Sequence, residues 1–378
     1  MRTGRRAIAG RREVIGAGLG VVVGLALWRR WPRGGSRVEL RREPLRFAVY
    51  PFQDLEGAVS GSVLETVRKR LCLRPAMNFS QYLHWLQIFG VRESPEYQAE
   101  ATREVLSLLT DAGRLEERSG QANVIVPTED GVRFLVGQTG DALVDSSRPA
   151  HPFQALGVFG EVGLPASTPI VASGGDFTLK DAVRDCLSNL QIREAARQEP
   201  EWATQVLAHY LPPACSWRNR WGEDMTIERW AEFLAERDVT RYSCAGTHLL
   251  HSLAVLLQAG AAHPILSAEL ADHLRGVCRE YSRTIEATQE PNGAWRSDWS
   301  KGGLAREYRS LEVHMAGHIL EAQMYLPEEL RISPRCAARA LKYLAQAFAA
   351  SDDNTVFEEH CPYSHAGGVL LRCGAQAG

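Results

Sequence analysis

The segment LLHSLAVLL, residues 249–257, is apolar almost all the way round a helix, whereas LSAELADHLR, residues 266–275, carries charges along one side. A helix without a polar face has to be buried, and a helix with a charged stripe keeps that stripe in water. Helices of these two kinds alternate through the second half of the chain. They are predicted at 201–211, 226–237, 247–260, 265–289, 311–326, 334–350 and 362–372. The alternation predicts helical hairpins with an inner layer of apolar helices and an outer layer of amphipathic ones.

A weak internal repeat supports this layered arrangement. The segments around His248, His318 and His365 can be aligned at the histidine, and each lies at or near the start of an apolar helix. The helix before each of them is of the amphipathic kind. Repeated hairpins bury a continuous core only by stacking on their neighbours. The three histidines are therefore expected at corresponding positions of inner helices.

The first half of the chain mixes helices with a few strands. The predicted elements are a strand at 45–50, helices at 62–73, 79–89 and 95–112, a β-hairpin of strands 123–127 and 132–137, and helices at 153–163 and 178–197. No strand is predicted after them. The predicted fold class is therefore mainly α, with a small α+β N-terminal part at 45–176 and a helical-hairpin domain at 177–378.

Residues 14–28 form an uncharged apolar run, VIGAGLGVVVGLALW. The run is short for a membrane-spanning helix, which needs about 20 residues, but arginine and tryptophan at its ends can reach the interface. Arg11 and Arg12 resemble the start of a twin-arginine export signal, and no cleavage site follows. We predict a basic N-terminus at 1–13, one transmembrane anchor at 14–28 and a linker at 29–44. Arginines on both sides leave the orientation open; we expect an extracytoplasmic body, with a cleaved signal or a cytoplasmic body as alternatives.

The composition is that of a globular protein without an excess of basic charge. Of the 378 residues, 45% are hydrophobic and 23% are charged, and the formal net charge is -2. A nucleic-acid partner would require a basic face, so none is expected. The chain has eight cysteines and no CxxC pair, and their pairing cannot be read from the sequence.

The segment QEPNGAW, residues 289–295, has the spacing Gln-x-x-x-Gly-x-Trp, in which Pro291 and Gly293 turn the chain and Trp295 can pack back over the turn. This spacing resembles the QW repeats of terpenoid cyclases, which share the α/α toroid fold with protein prenyltransferases. The resemblance covers about residues 226–373 and implies a toroid-like ring of helical hairpins. The cyclases' Asp-x-Asp-Asp motif and the prenyltransferases' Asp-x-Cys pair are absent from this sequence, so the resemblance concerns the fold and not the chemistry.

One predicted inner helix presents candidate metal ligands. His314, His318 and Glu321 lie at i, i+4 and i+7, which places them on one helical face. Two imidazoles and a carboxylate can hold zinc or another divalent metal such as iron. The alternative is that they are buried polar side chains satisfied by their neighbours.

Two Cys-x-x-x-His pairs, Cys244/His248 and Cys361/His365, lie at predicted helix starts. Thiolate and imidazole together suit zinc, and a helix N-terminus lowers the pKa of a thiol. A disulfide between Cys244 and Cys361 is a competing interpretation, and small buried thiols beside histidines without any ligand are a third.

The loop that follows the QW-like segment gathers aromatic and charged side chains. Aromatic rings beside paired charges are typical of sugar-binding clefts. Asp298 or Glu307 with Glu312 could form the acid/base pair of a glycosidase. Tyr308 with His314 could serve a polysaccharide lyase. The alternative is a connection held by tryptophans, with its charges on the surface.

Two classes of function fit these patterns. The first is a binding or scaffold protein of the cell envelope, which holds a small molecule, a glycan or a protein in its helical concavity. The second is a toroid enzyme, with or without a metal, that acts on an isoprenoid or a carbohydrate as a cyclase, transferase, glycosidase or lyase. A deep polar cavity favours catalysis, and an interior filled with side chains favours a scaffold.

Overall fold

The computed structural model describes residues 38–52, 59–75, 77–92, 94–135, 151–192, 200–237, 243–301 and 309–374. The predicted anchor at 14–28 lies outside the described residues, as do the candidate catalytic residues Glu307 and Tyr308. Within the described ranges, no helix has both the length and the apolar character needed to cross a bilayer.

The described chain is mainly helical, which confirms the predicted class. It contains fourteen α-helices. They are α1 (Gly61–Arg70), α2 (Phe79–Phe89), α3 (Ala99–Leu109), α4 (Ala112–Ser119), α5 (Gln154–Glu161), α6 (Leu179–Asn189), α7 (Pro200–Tyr210), α8 (Ile227–Ala235), α9 (Thr247–Ala262), α10 (Ala268–Thr288), α11 (Arg309–Met324), α12 (Pro334–Ala350), α13 (Asp353–Glu358) and α14 (His360–Gly374).

Three antiparallel hairpins account for the strands of the described residues. They are β1 (Ile125–Pro127) with β2 (Val132–Phe134), β3 (Pro169–Ala172) with β4 (Gly175–Thr178), and β5 (Ser216–Arg218) with β6 (Asp224–Thr226). The first hairpin was predicted and is confirmed. The prediction that no further strands follow is wrong. In the third hairpin only Trp217 and Met225 are buried, and three-residue strands are too short to show an alternating pattern in the sequence.

The strand predicted at 45–50 is wrong as well, because this extended segment pairs with helix ends. The Leu45 amide donates to the His209 carbonyl (2.8 Å), and the Tyr50 amide donates to the Met324 carbonyl (2.7 Å). The last carbonyls of a helix have no partner inside that helix, so they can accept hydrogen bonds from a passing chain. The segment is therefore fastened to two helices and joins no sheet.

Two predicted helices are shorter in the structure. The helix predicted at 95–112 is divided into α3 and α4, because the Asp111 side chain accepts from the amides of Gly113 and Arg114 and so begins a new helix. The helix predicted at 178–197 corresponds to α6, which ends at Asn189.

Six helices of the described chain form a closed ring of neighbours. In the order α2, α5, α7, α9, α11 and α14 each packs on the next, and α14 packs on α2. Nearly all their described side chains are buried. The amphipathic helices α1, α8, α10 and α12 each bury one face and expose the other, and α6 buries one face and leaves the other half-buried. We call the first set the inner helices and the second set the outer helices.

The core is continuous across the domain boundary predicted between residues 176 and 177. Residues 36–378 form one compact unit. The inner helices α2 and α5 lie before that boundary in the sequence. Helix α2 packs on α14 and helix α5 packs on α7, and both of these partners lie after the boundary. Both predicted parts therefore contribute to one ring.

Candidate metal centre

Six histidines and two cysteines of the described chain meet between the inner helices. In each of four groups of three, the possible ligand atoms lie within 4.8 Å of one another. The groups are His84/Cys361/His365, His151/Cys244/His248, Cys244/His314/His318 and His248/His318/His365. A ninth residue, His360, flanks the cluster, and its ring lies 5.2 Å from that of His84. We call the eight grouped residues the metal-centre cluster.

Most of the candidate ligands found in the sequence are members of this cluster. They are Cys244, His248, His314, His318, Cys361 and His365. Glu321 is placed differently, because its carboxylate accepts a hydrogen bond of 2.7 Å from Nδ1 of His365. The face that carries His314, His318 and Glu321 thus points toward the cluster, but its carboxylate orients a histidine instead of joining the grouped ligand atoms.

Backbone carbonyls fix the orientation of two cluster imidazoles. Nδ1 of His84 donates to the Ser80 carbonyl (2.7 Å), and Nδ1 of His318 donates to the His314 carbonyl (2.9 Å). A neutral imidazole with its proton on Nδ1 carries a lone pair on Nε2. Nε2 of both His84 and His318 is buried and has no hydrogen-bond partner. Both rings therefore present a ligand atom to the cluster.

His365 is oriented by a carboxylate that is itself paired. Glu321 accepts from Nδ1 of His365, and an Arg372 guanidinium nitrogen lies 3.7 Å from the other Glu321 oxygen. Burial alone would lower the pKa of His365, but the charge of Glu321 raises it to about 10. Burial would raise the pKa of Glu321, and His365 lowers it to about 2. A carboxylate that holds the second N–H of a histidine is a common feature of metal sites.

Two other cluster imidazoles, His248 and His318, are held neutral by their surroundings. Burial, and after it the neighbouring His151, lowers the pKa of His248 well below the ordinary value. Burial and the neighbouring His365 do the same for the pKa of His318. The ring centroids of His318 and His365 are only 3.7 Å apart. Converging nitrogen atoms in a buried site are costly unless a proton or a cation lies between them.

Both cysteines of the cluster lie beside imidazole nitrogens. Sγ of Cys361 is 3.9 Å from Nδ1 of His314, and Sγ of Cys244 is 3.9 Å from Nε2 of His151. Burial raises the pKa of the Cys361 thiol, but the charge of His84 and the hydrogen bond with His314 lower it well below the ordinary value. Both residues are free thiols, so the competing interpretation, a Cys244–Cys361 disulfide, is not what the structure has. The thiolate is the form that binds metals.

The turn before α9 adopts an unusual backbone conformation that positions Cys244. Cys244, Ala245 and Gly246 have φ angles of 51°, 50° and 83°. Residues other than glycine rarely adopt this left-handed conformation, which costs roughly 1 kcal/mol or more for each. Two hydrogen bonds hold the turn, from Trp299 Nε1 to the Ala245 carbonyl (3.0 Å) and from the Thr247 hydroxyl to the Cys244 carbonyl (2.8 Å).

A narrow cavity adjoins the cluster at His84 and His365. Its polar lining includes Gln87, Glu321, Ser364 and Arg372. The carboxylate of Glu161, which accepts from Nε2 of Gln87 (3.1 Å), belongs to the same polar network. Burial, and after it the charge of Glu321, raises the pKa of Glu161 to about 7.

The candidate catalytic loop lies apart from these groups. Trp295 and Trp299 are 0% exposed, so neither indole offers a face to a sugar. The Glu312 carboxylate accepts from the Tyr343 hydroxyl (3.0 Å) and from the Asn292 amide (3.3 Å). Asp298 is half-buried. With Glu307 and Tyr308 outside the described residues, an acid/base pair in this loop stays a prediction.

Sequence reasoning missed His84, His151 and His360. His84 had a usable signal, because Ser80, His84 and Gln87 repeat the i, i+4, i+7 pattern of polar residues on an apolar helix. His151 precedes α5 in a loop, where no periodicity marks it. His360 begins α14, where Nε2 lies 3.2 Å from the Ser80 hydroxyl.

Comparisons of the chain with protein-family models, with curated proteins and with solved structures found no match.

Proposed function

We propose that this protein binds a transition metal, zinc in the first place, in the buried cluster between its inner helices. One observation carries the proposal. The Nε2 atoms of His84, His318 and His365 are buried, have no hydrogen-bond partner and lie on rings whose Nδ1 atoms are already bonded. Three pre-oriented imidazoles beside two thiols form a set of possible metal ligands. Packing of a protein core does not require such a set.

The donor atoms favour zinc over the hard cations. Calcium and magnesium prefer oxygen ligands, whereas thiolate and imidazole suit zinc and copper. The grouped ligand atoms of the cluster are nitrogen and sulfur, and the nearest carboxylate, Glu321, is bonded to His365. Iron and nickel also accept imidazole, so elemental analysis of the isolated protein decides among these metals.

The arrangement of helices around the centre supports a toroid-like fold as part of this proposal. A closed ring of inner helices with outer helices around it is the arrangement that the QW-like segment implies. Gln289 donates to the carbonyls of Gly293 and Cys336 (both 2.9 Å), and Trp295 donates to the Ile285 carbonyl (2.7 Å). The bond from Gln289 to Cys336 ties the end of α10 to the start of α12, and the other two hold the turn at 289–295 against α10. In this proposal the ring acts as a binding scaffold, attached to the membrane through residues 14–28.

Elemental analysis of the purified full-length chain, before and after dialysis against zinc, tests metal binding. We expect bound zinc in the wild type and a loss of at least half of it in His318→Gln. His209→Gln, which removes a buried histidine outside the cluster, is the matched control and should keep the wild-type zinc content. A folded wild-type protein that takes up no zinc, copper, iron or nickel would contradict the proposal.

Catalysis at the same centre is a second candidate, favoured by the polar cavity. A carboxyl group with a pKa of about 7, such as Glu161, can exchange protons near neutral pH. The test is to incubate the zinc-loaded protein with a prenyl diphosphate, an oligosaccharide and a chromogenic ester. Turnover that is lost in Glu161→Gln would support an enzyme, and no turnover with any of the three would count against one.

A further inference from the structure

We propose that the metal-centre cluster holds two metal ions, one at His84/Cys361/His365 and one at His151/Cys244/His248. This inference rests on the proposed metal binding, and it adds the number of bound ions and the residues that bind each of them. In each of these triads the possible ligand atoms lie within 4.8 Å of one another, and the two triads share no residue. Each triad has one thiol and two imidazoles, so each alone offers three of the four ligands that zinc takes.

The thiols separate the two triads. No group of the described residues contains both Cys244 and Cys361. Each thiol instead lies 3.9 Å from a nitrogen of a different histidine, His151 for Cys244 and His314 for Cys361. A single ion at either triad would leave the other thiol and its imidazoles without a metal.

Three of the six cluster imidazoles cannot bridge two ions. Nδ1 of His84, His318 and His365 is bonded to Ser80, His314 and Glu321 respectively, so each ring has only Nε2 to offer. A terminal histidine ligand serves one ion through one nitrogen. Each of these three histidines can therefore bind only one of the two ions.

The helix α11 supplies a fourth ligand to each triad. His314 and His318 are one helical turn apart, and their ring centroids are 4.0 Å apart. His314 lies beside Cys361 and is also grouped with Cys244, and His318 is grouped with Cys244 and His248 and also with His365. We assign His314 to the triad of Cys361 and His318 to the triad of Cys244, because each thiol then has three imidazoles. Assigned in this way, the eight residues divide into two sets of one thiolate and three imidazoles.

A single four-coordinate ion would satisfy only half of these donors. An ion at the His151/Cys244/His248 triad alone would leave the buried Nε2 atoms of His84 and His365 without a partner, and such groups are costly to bury. His84, His318 and His365 are 2%, 2% and 4% exposed, so water does not reach them freely. Two ions satisfy both sets.

The experiment measures zinc per chain in the folded full-length protein. We expect two zinc ions in the wild type, one in Cys244→Ala, one in Cys361→Ala and none in the double variant. Cys278→Ala, which removes a fully buried thiol outside the cluster, should keep two. With cobalt(II) as the probe, each single variant should lose half of the thiolate-to-metal absorption. Circular dichroism of each sample shows whether the variant is folded.

The outcomes separate the two proposals. One zinc per wild-type chain, or loss of all zinc in a single cysteine variant, would overturn the two-ion centre and leave metal binding intact. No metal in a folded wild type would overturn both. If a cysteine variant does not fold, His84→Gln and His151→Gln each remove a ligand of a different triad, and each should halve the zinc content. Full zinc content in both would also overturn the two-ion centre.

Discussion

At the scale of single residues, His209 shows what burial does to a histidine outside the cluster. Its Nδ1–H donates a hydrogen bond of 2.6 Å to the Leu45 carbonyl, and its ring lies 4.7 Å from that of Phe47. Burial lowers the pKa of His209 to about 4. The folded protein therefore keeps this imidazole neutral at a pH where an unfolded chain would already bind a proton.

We predict that His209 destabilises the protein in weak acid. Below about pH 6.5 the unfolded chain gains a proton that the folded protein does not, so the free energy of unfolding falls until the pH approaches 4. Between pH 7.5 and pH 5 this loss is about 2 kcal/mol. Urea unfolding at the two pH values should show a smaller decrease in His209→Gln than in the wild type. His273→Gln, on the exposed side of α10, should keep the full decrease. Equal decreases in wild type and His209→Gln would refute the prediction.

Two buried tryptophans allow a matched test of how Cys244 is positioned. Trp299 donates to the Ala245 carbonyl inside the left-handed turn, and Trp295 donates to the Ile285 carbonyl at the end of α10. Substitution of either by phenylalanine removes a buried hydrogen bond and part of a buried side chain, so both variants should lose about 1–3 kcal/mol of stability. Only Trp299→Phe should also weaken zinc binding, by roughly tenfold or more, because it loosens the turn that carries Cys244. Zinc titration against a competing chelator measures this; equal affinities in the two variants would argue against a positioning role for Trp299.

At the scale of helices, the contact between α11 and α14 brings His318 and His365 together. A Cβ atom on Gly317 would lie 2.7 Å from the Ala366 amide nitrogen, which belongs to the backbone of α14. Gly317→Ala must therefore push the two helices apart, and we predict a loss of roughly 1–3 kcal/mol in stability together with weaker zinc binding.

The matched control for this prediction is Gly276→Ala on the outer helix α10. Nothing lies within 4 Å of a Cβ at Gly276, so only helix propensity changes, and the protein should gain up to about 1 kcal/mol. Thermal unfolding and zinc titration of both variants measure the effects. A stabilised Gly317→Ala with unchanged zinc affinity would show that the two helices are not in tight contact.

The helices themselves could be predicted from the sequence, but their partners could not. Apolar periodicity marks α9 and α11 as buried and α10 as half-exposed, because a helix face is a local property of the chain. The i, i+4, i+7 spacing likewise places His314 and His318 on one face. That α2 would bring His84 to His365 depends on packing between helices far apart in sequence, and no local pattern encodes it. The β5–β6 hairpin and the turn at Cys244 were missed because three-residue strands and left-handed residues have no periodicity.

At the scale of the whole molecule, the ring explains why the centre can hold so many donors. Each inner helix presents one stripe of residues to the interior, and polar residues on several stripes meet only when the ring is closed. The cluster takes ligands from α2, α9, α11 and α14 and from the loops before α5 and α9. The interior is accordingly neither an open cavity nor a purely apolar core, and its polar groups hold one another in place.

The ring also predicts that its second half cannot fold alone. A fragment of residues 177–378 lacks α2 and α5, and it would expose the buried faces of α7 and α14 that pack on them. It also lacks His84 and His151, one ligand from each proposed triad. Exposed apolar helix faces favour aggregation over a compact state, so we expect no cooperative unfolding transition and no stoichiometric zinc binding from the fragment. Residues 36–378, by contrast, should unfold in one transition because their core is continuous. Urea unfolding followed by circular dichroism compares the two. A fragment that unfolds cooperatively would show that the helical hairpins after residue 176 form a domain of their own and that α2 and α5 merely dock on it.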